Sequence, residues 1–434
     1  MRVCVQGLWH QGAVTAASLA AWGHQVVGLD PDAALIEGLR AGRPAVSEPG
    51  LADAVARQGA AGRLSFEVRP EAAAGAELVW IAFDTPVDDD DRADVAFVEA
   101  EAARLAPHLA AGAVVVVSAQ LPVGSVARLA RRLRAARPGL DLSFACVPEN
   151  LRLGSALEVF QSPDRVVAGV EDGRARQRIA ALLAPVAERI EWMGIESAEV
   201  VKHAVNAFLA LSVTFANELA QVCERVGADA KDVERGLKTE RRIGPRAYLG
   251  PGGAFAGGTL ARDVAFLGAL GAEHGLTLPV LSAVKPSNDH HRGWVARALE
   301  ARLPAGPGAV VALWGLTYKP GTDTLRRSSA IELARRLLDG GRAVQAFDPA
   351  VQAGAAGLDP RLRLASSPEQ AARGADALVI GTEWPALRAA SLPAALAGMR
   401  RRLVLDPSRF LAAQAAGLEL EYVAVGTPAA GRRP

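Results

Sequence analysis

The 434-residue chain is 50% apolar and 22% charged, and 48 basic residues nearly cancel 47 acidic ones, for a net charge of +1. That length and apolar content exclude a small disulfide-stapled scaffold and call for two to four compact domains of about 100–200 residues each. The balanced charge leaves no whole-chain footprint for nucleic acid, and the Arg clusters at 131–134 and 400–402 read as solvated helix faces.

The opening MRVCVQG runs straight into a strand with neither a basic region nor an apolar leader, so no export signal is expected and the cytoplasm is the expected location. It leads into Gly7-Leu8-Trp9-His10-Gln11-Gly12, which opens a helix, with Asp30 at the end of the next strand. Strand, glycine turn, helix and a later carboxylate form the context of a dinucleotide-binding turn. In such a turn the first glycine permits the bend, the second lets backbone approach a pyrophosphate, and the third admits close helix packing. Here the second is Trp9, so the expectation is NAD with a displaced pyrophosphate; an α/β turn without cofactor is the alternative. Asp30 favours NAD over NADP, because a carboxylate there holds two ribose hydroxyls and repels the NADP phosphate.

Short β-branched runs at 3–5, 26–29, 78–83, 114–117 and 166–170 alternate with Ala/Leu/Arg-rich stretches, the pattern of a parallel sheet covered on both faces. Residues 196–226 carry no Pro or Gly and keep apolar residues at helical spacing, which predicts one long helix. Its most apolar part, 207–216, and the earlier run 113–117 are shorter than the ~20 residues that span a bilayer, and both read as buried core. On that helix Lys202 and Asn206 stand four apart on one face. Each needs a polar partner if buried, unless Lys202 snorkels to solvent and Asn206 bonds backbone. The glycine-dense stretch 244–258 is too long for an ordinary connector, which marks it as functional. Alternation resumes at 309–313, 343–347, 377–380 and 403–405, where AVQAFDPA echoes the earlier QVVGLDPD, and Gly315 and Asp348 answer Gly7 and Asp30. The expected architecture is α/β: two Rossmann-like doubly wound parallel-sheet domains, 1–195 and 301–425, joined by a helical middle at 196–300 with a long central helix. A disordered tail is expected at 426–434.

Cys4, Cys146 and Cys223 are odd in number and far apart, suggesting neither a disulfide framework nor a zinc site. Seven histidines show no metal-ligand spacing, since the adjacent His290 and His291 face different sides of a helix. No metal is expected.

Four further segments complete the pattern: PENLR at 148–152, PGGAFAGGTLARD at 251–263, YKPGTDTLR at 318–326 and GTEW at 381–384. Together with the K-x-x-x-N helix, and in this order, the chain resembles the UDP-glucose/GDP-mannose dehydrogenase family of nucleotide-sugar 6-dehydrogenases over essentially its whole length. The family segments matched are PEFLREG, GFGGSCFPKD, FKPxTDDxR and TEW. The resemblance implies an NAD-binding domain, a homodimer built on the long helix, and a C-terminal domain that holds a nucleotide sugar. It implies oxidation of the sugar C6 alcohol to a carboxylate with two NAD.

On the cofactor side the resemblance assigns Gly7, Trp9, Gly12, Asp30, Thr85, Pro86, Arg262 and Arg326. On the substrate side it assigns Glu149, Leu151, Tyr248, Gly253, Phe255 and Lys319, with Arg409 as a second cation and Arg242 reaching the neighbouring subunit's substrate. The reaction falls to Lys202, Asn206, Asp263 and Glu149, with Thr259 and Gln120 at altered positions. Thr259 stands where the family has its nucleophilic cysteine, Gln120 where it has a catalytic threonine, Leu153 where it has a second glutamate, and Arg262 where it has a lysine.

These differences have chemical content. Lys202 as ammonium stabilises an alkoxide, Asn206 donates to the same oxygen and Asp263 accepts a proton, which suffices for one hydride transfer. The second oxidation runs through a thiohemiacetal and a thioester, needing a group that ionises near pH ~8.5 and leaves readily. A threonine hydroxyl does neither. The expected function is therefore an NAD-dependent dehydrogenase of a nucleotide sugar, a UDP-sugar foremost, with the aldehyde as product. A redox-neutral isomerase that returns the hydride to its sugar, and a non-catalytic nucleotide-sugar-binding dimer, stay open. No nucleic-acid or membrane partner is expected.

Overall fold

The β-branched runs of the first half become β1 (Arg2–Gln6), β2 (Gln25–Leu29), β3 (Leu64–Glu67), β4 (Leu78–Ile81), β5 (Ala113–Val117), β6 (Leu142–Cys146), β7 (Val166–Val170) and β8 (Ile190–Met193). They form one sheet in the order β3-β2-β1-β4-β5-β6-β7-β8. The computed structural model describes residues 1–86, 93–149, 151–256, 258–304 and 308–428. The chain divides into two units, Met1–Val205 and Asn206–Pro434.

In the first unit β4 and β5 are buried at every residue, as continuous apolar strands must be when both faces are covered. On one face Leu78, Trp80, Val114 and Val116 pack with Val14 and Leu19 of helix α1 (Gln11–Ala21). On the other, Val79, Ile81, Val115 and Val117 pack with Leu129 and Leu133 of α2 (Ser125–Ala136).

The sheet is parallel except at β6–β7, where Ala145 opposes Val170 and Cys146 opposes Gly169 in antiparallel register. β7 is again parallel to β8, and the parallel pattern expected through 166–170 thus holds except at this one pairing. The cause is the path between the two strands. The buried Glu48 carboxylate accepts from Gly154 N at 2.9 Å and Ala156 N at 2.7 Å, holding that segment at the carboxyl end of the sheet. The chain therefore enters β7 from that end, without the crossover a parallel neighbour needs.

The expected long helix is α3 (Ile195–Val226), 32 residues. By length and composition it could cross a membrane. Within the protein it buries Ala207, Ala210, Ala220 and Cys223. Near its start Glu199 caps α2, accepting from Gly124 N at 2.6 Å and Val126 N at 3.0 Å.

In the second unit β9 (Val310–Trp314), β10 (Ala343–Phe347), β11 (Arg363–Leu364), β12 (Ala377–Ile380), β13 (Leu403–Leu405) and β14 (Glu421–Val423) pair in the order β11-β10-β9-β12-β13-β14, all parallel. The middle segment packs into this unit: Ala220, Cys223, Trp294 and Leu299 share one apolar cluster with Val311, Leu313 and Leu405. Also here are α4 (Thr259–Glu273) and α5 (Pro279–Arg292).

The two halves repeat one turn. Gly7 and Gly315 both have φ of 88°. Gly7 N donates to Leu29 O at 2.9 Å and Gly315 N to Phe347 O at 2.8 Å. Asp30 then accepts from Leu8 N at 2.8 Å, and Asp348 from Leu316 N at 2.6 Å. The start of the expected disordered tail is held instead: Gly426 N donates to Glu224 Oε1 at 2.9 Å, and Gly426 O accepts from Ala230 N at 2.9 Å. The remainder, 429–434, lies outside the described residues.

Candidate active site

At the glycine turn, a Cβ on Gly12 would lie 1.6 Å from Gly7 O, and one on Gly7 would lie 2.7 Å from Phe83 N. Strand and helix thus meet backbone to backbone, the packing a dinucleotide turn uses. These residues fit NAD. Trp9 stands 55% exposed, so the indole is not packed into the protein. Asp30 is buried, its two oxygens taken by Leu8 N at 2.8 Å and Asp32 N at 3.0 Å, and burial pushes its carboxyl above the usual range. It braces the turn as well as ending β2. Thr85 Oγ1 donates to Gln120 O at 2.9 Å, which joins one cofactor-side candidate to one reaction candidate; Pro86 is exposed. Two residues that sequence reasoning missed complete this region. Glu48 accepts from the Gly154 and Ala156 amides and lies 3.1 Å from His10 Nε2, tying the glycine turn to the segment after Glu149. Asp84 accepts from His10 N at 3.0 Å and Gln11 N at 3.2 Å. Neither contact has a local signal, because each spans tens of residues.

Lys202 does not snorkel. Its side chain is 11% exposed, and Nζ donates to Glu149 O at 2.6 Å and Oε1 at 3.3 Å. Glu149 Oε2 accepts from Leu151 N at 2.5 Å; Asn150, part of the same motif, lies outside the described residues. Lys202 borders a cavity of about 20 Å³ with Ser118, Gln120, Cys146, Glu199 and His203. That is room for one water. Cys146 supplies no thiolate there, because burial and the neighbouring Glu199 charge push its thiol up. Burial pushes Cys4 up to about 12 and raises Cys223 as well.

One turn beyond Lys202, Asn206 Nδ2 donates to Asp263 Oδ2, and Asp263 is fully buried. Thr259 is exposed at the start of α4, one turn before Asp263 on the same helix face. Arg262 is half-buried beside it, Arg326 is exposed, and Gly257 lies outside the described residues.

The glycine-rich loop is pinned by three buried side chains that sequence reasoning also missed. Asn217 of α3 accepts from Gly252 N at 3.0 Å and donates to Gly253 O at 3.3 Å. Asn288 of α5 accepts from Phe255 N at 3.0 Å and donates to Phe255 O at 2.8 Å. His291 Nε2 meets Gly252 O at 2.8 Å, and burial lowers the imidazole below its usual value, keeping it neutral. A cavity of about 380 Å³ lies beside the loop, bordered by Gly253, Lys319, Tyr318, Ser408 and Glu383. Trp384 of the GTEW segment donates to Thr317 Oγ1 at 2.9 Å and Asp348 at 3.1 Å, bracing the second glycine turn.

Arg409, expected as a second cation for the nucleotide, is committed elsewhere. It grips Asp229 with both terminal nitrogens, at 3.0 and 2.6 Å, from a left-handed backbone at φ 60°. The paired carboxylate neutralises it. Tyr248 is 60% exposed, and Arg242 pairs with Glu240 at 2.9 Å with its own side chain 88% exposed.

Three family models match in succession: the UDP-glucose/GDP-mannose dehydrogenase family NAD binding domain over residues 1–187, its central domain over 196–290, and its UDP binding domain over 312–413. A UDP-glucose 6-dehydrogenase of Pseudomonas aeruginosa is 36% identical over 99% of this chain and 98% of the relative. One from Rhizobium meliloti is 35% identical over 94% of each. Among solved structures, a UDP-glucose dehydrogenase from Pyrobaculum islandicum superposes with a TM-score of 0.87 at 33% identity, covering 98% of both chains.

Proposed function

The chain belongs to the UDP-glucose/GDP-mannose dehydrogenase family and is an NAD-dependent oxidoreductase acting on CH–OH groups; we propose that it oxidises a UDP-sugar and stops at the aldehyde. The observation that carries the reading is the Asn206–Asp263 hydrogen bond, with Thr259 one turn before Asp263 and Lys202 one turn before Asn206. Bound NAD supplies the hydride acceptor. Lys202, oriented by Glu149, holds the developing alkoxide, and Asn206 donates to the same oxygen. Asp263 takes the hydroxyl proton. Thr259 offers no thiolate, and the three cysteines are buried, so no covalent acyl-enzyme forms. The three buried free thiols suit the reducing cytoplasm, where we place the enzyme.

The test incubates the enzyme with NAD and a panel of UDP-, GDP- and dTDP-sugars, resolving products by mass spectrometry and counting NADH per sugar consumed. One equivalent with a trappable aldehyde from a UDP-sugar is the expected result. Two equivalents at an undiminished rate, or an acyl mass mapping to Thr259, would overturn arrest at the aldehyde. Tightly retained NAD with no net NADH would select the isomerase instead.

We also propose a homodimer through α3. Phe208, Phe215 and Val222 recur every seven residues along it and stand 66%, 46% and 56% exposed. An apolar stripe of this kind marks a protein–protein surface. Arg242, free of the core and largely exposed, is the residue we assign to the neighbouring subunit's substrate. Light scattering at micromolar concentration should give twice the chain mass, and a double Phe208→Asp, Phe215→Asp variant should give the monomer. A monomeric wild type ends the idea.

A further inference from the structure

We propose that Asp84 is a resident competitor for the pyrophosphate of NAD, and that displacing its carboxylate from the first helix controls how tightly the dinucleotide binds. The geometry is specific. Asp84 lies just past β4, next to β1, and its Oδ2 accepts from His10 N at 3.0 Å and Gln11 N at 3.2 Å. Those amides open α1, whose first turn has no acidic residue and whose N-cap residue, His10, makes no side-chain cap. In a glycine turn running into a helix, the amides at this place are the donors that receive a pyrophosphate. Here a side-chain anion already holds them.

The carboxylate stands in an acidic neighbourhood. His10 faces it and pairs with Glu48, while Glu149 adds a like charge and is itself paired with Lys202. Burial and the Glu149 charge push the Asp84 carboxyl above the usual carboxylate range, although the two amides and His10 oppose them. Bringing a pyrophosphate to the same amides adds further negative charge. Asp84 must then swing away or take up a proton, and both routes subtract from NAD affinity. The proton route ties binding to pH: a group protonated more fully in the complex takes up a proton on binding, so affinity rises as pH falls.

The alternative is that Asp84 is only a tertiary cap for α1. The proposal rests on NAD binding alone and its test uses no sugar, so failure of the UDP-sugar reading leaves it standing. NAD is titrated calorimetrically into the wild type, Asp84→Asn and Asp84→Gly, with thermal unfolding of each measured without NAD. Expected is NAD binding at least about tenfold tighter in a folded variant, even where its unfolding temperature without NAD is lower. Unchanged or weaker NAD binding in a folded variant overturns the proposal. The wild type supplies a second measurement that needs no variant. Where Asp84 takes up a proton, titration in two buffers of different ionisation enthalpy, at about pH 6 and about pH 8, shows tighter binding at the lower pH with net proton uptake; where it swings away still charged, affinity stays independent of pH while the variants bind NAD more tightly. Affinity independent of pH with no proton uptake, alongside variants that bind no better, assigns Asp84 to capping alone.

Discussion

Lys202→Met should lower kcat by about 10²–10³ while leaving NAD affinity within twofold to threefold. The substitution keeps the apolar stem that buries most of Lys202 and deletes only the ammonium, which donates to Glu149 O at 2.6 Å. Glu149 retains its hydrogen bond from Leu151 N, so the local backbone stays braced. If the ammonium holds the oxygen from which the proton departs, its loss is felt when that oxygen becomes anionic. The effect therefore falls on kcat more than on the sugar KM. Initial rates of NADH formation, with NAD binding measured separately, check this. A variant within threefold of wild-type kcat would remove Lys202 from the reacting oxygen.

Gly12→Ala should cost about 3 kcal/mol, lower the unfolding temperature of the first unit by roughly 6–12 °C, and weaken NAD binding at least about tenfold. The added carbon would sit 1.6 Å from Gly7 O, a backbone atom that cannot move without opening the turn. Flexible side chains yield to such a contact, whereas a strand-to-helix junction must shift as a whole. The control is Gly59→Ala on an exposed helix position, where the closest atom to a new Cβ is Leu64 O at 3.9 Å. That change should be neutral or mildly stabilising, because alanine is the better helix former. Similar unfolding temperatures for the two variants would mean that the turn tolerates a side chain.

Asp84 and Arg409 show why some of the site could not be read from the sequence. Asp84 sits 74 residues from His10, in a segment whose sequence signal is only the end of a strand. Arg409 lies 180 residues from Asp229, and a sequence shows its charge without the carboxylate that neutralises it. Asn217, Asn288 and His291 belong to helices whose pattern announces helix and nothing more, yet they hold the backbone of the glycine-rich loop. The glycine density that marks the loop was legible. What holds it was not.

The sequence by itself determined the α/β class, the long helix, the repeated glycine-aspartate turn and the NAD-dependent family. Each of these depends on local order: periodicity, residue type at a fixed offset, or the succession of short motifs. Tertiary structure alone decided that β7 runs against β6, that Lys202 is buried against Glu149, that Asp30 braces the turn with both oxygens, and that Asp84 occupies the helix amides. The physical reason is common to all four. Strand direction, the partner of a buried charge and the occupant of a helix end are set by which distant groups burial brings within hydrogen-bond reach, and no local pattern records that.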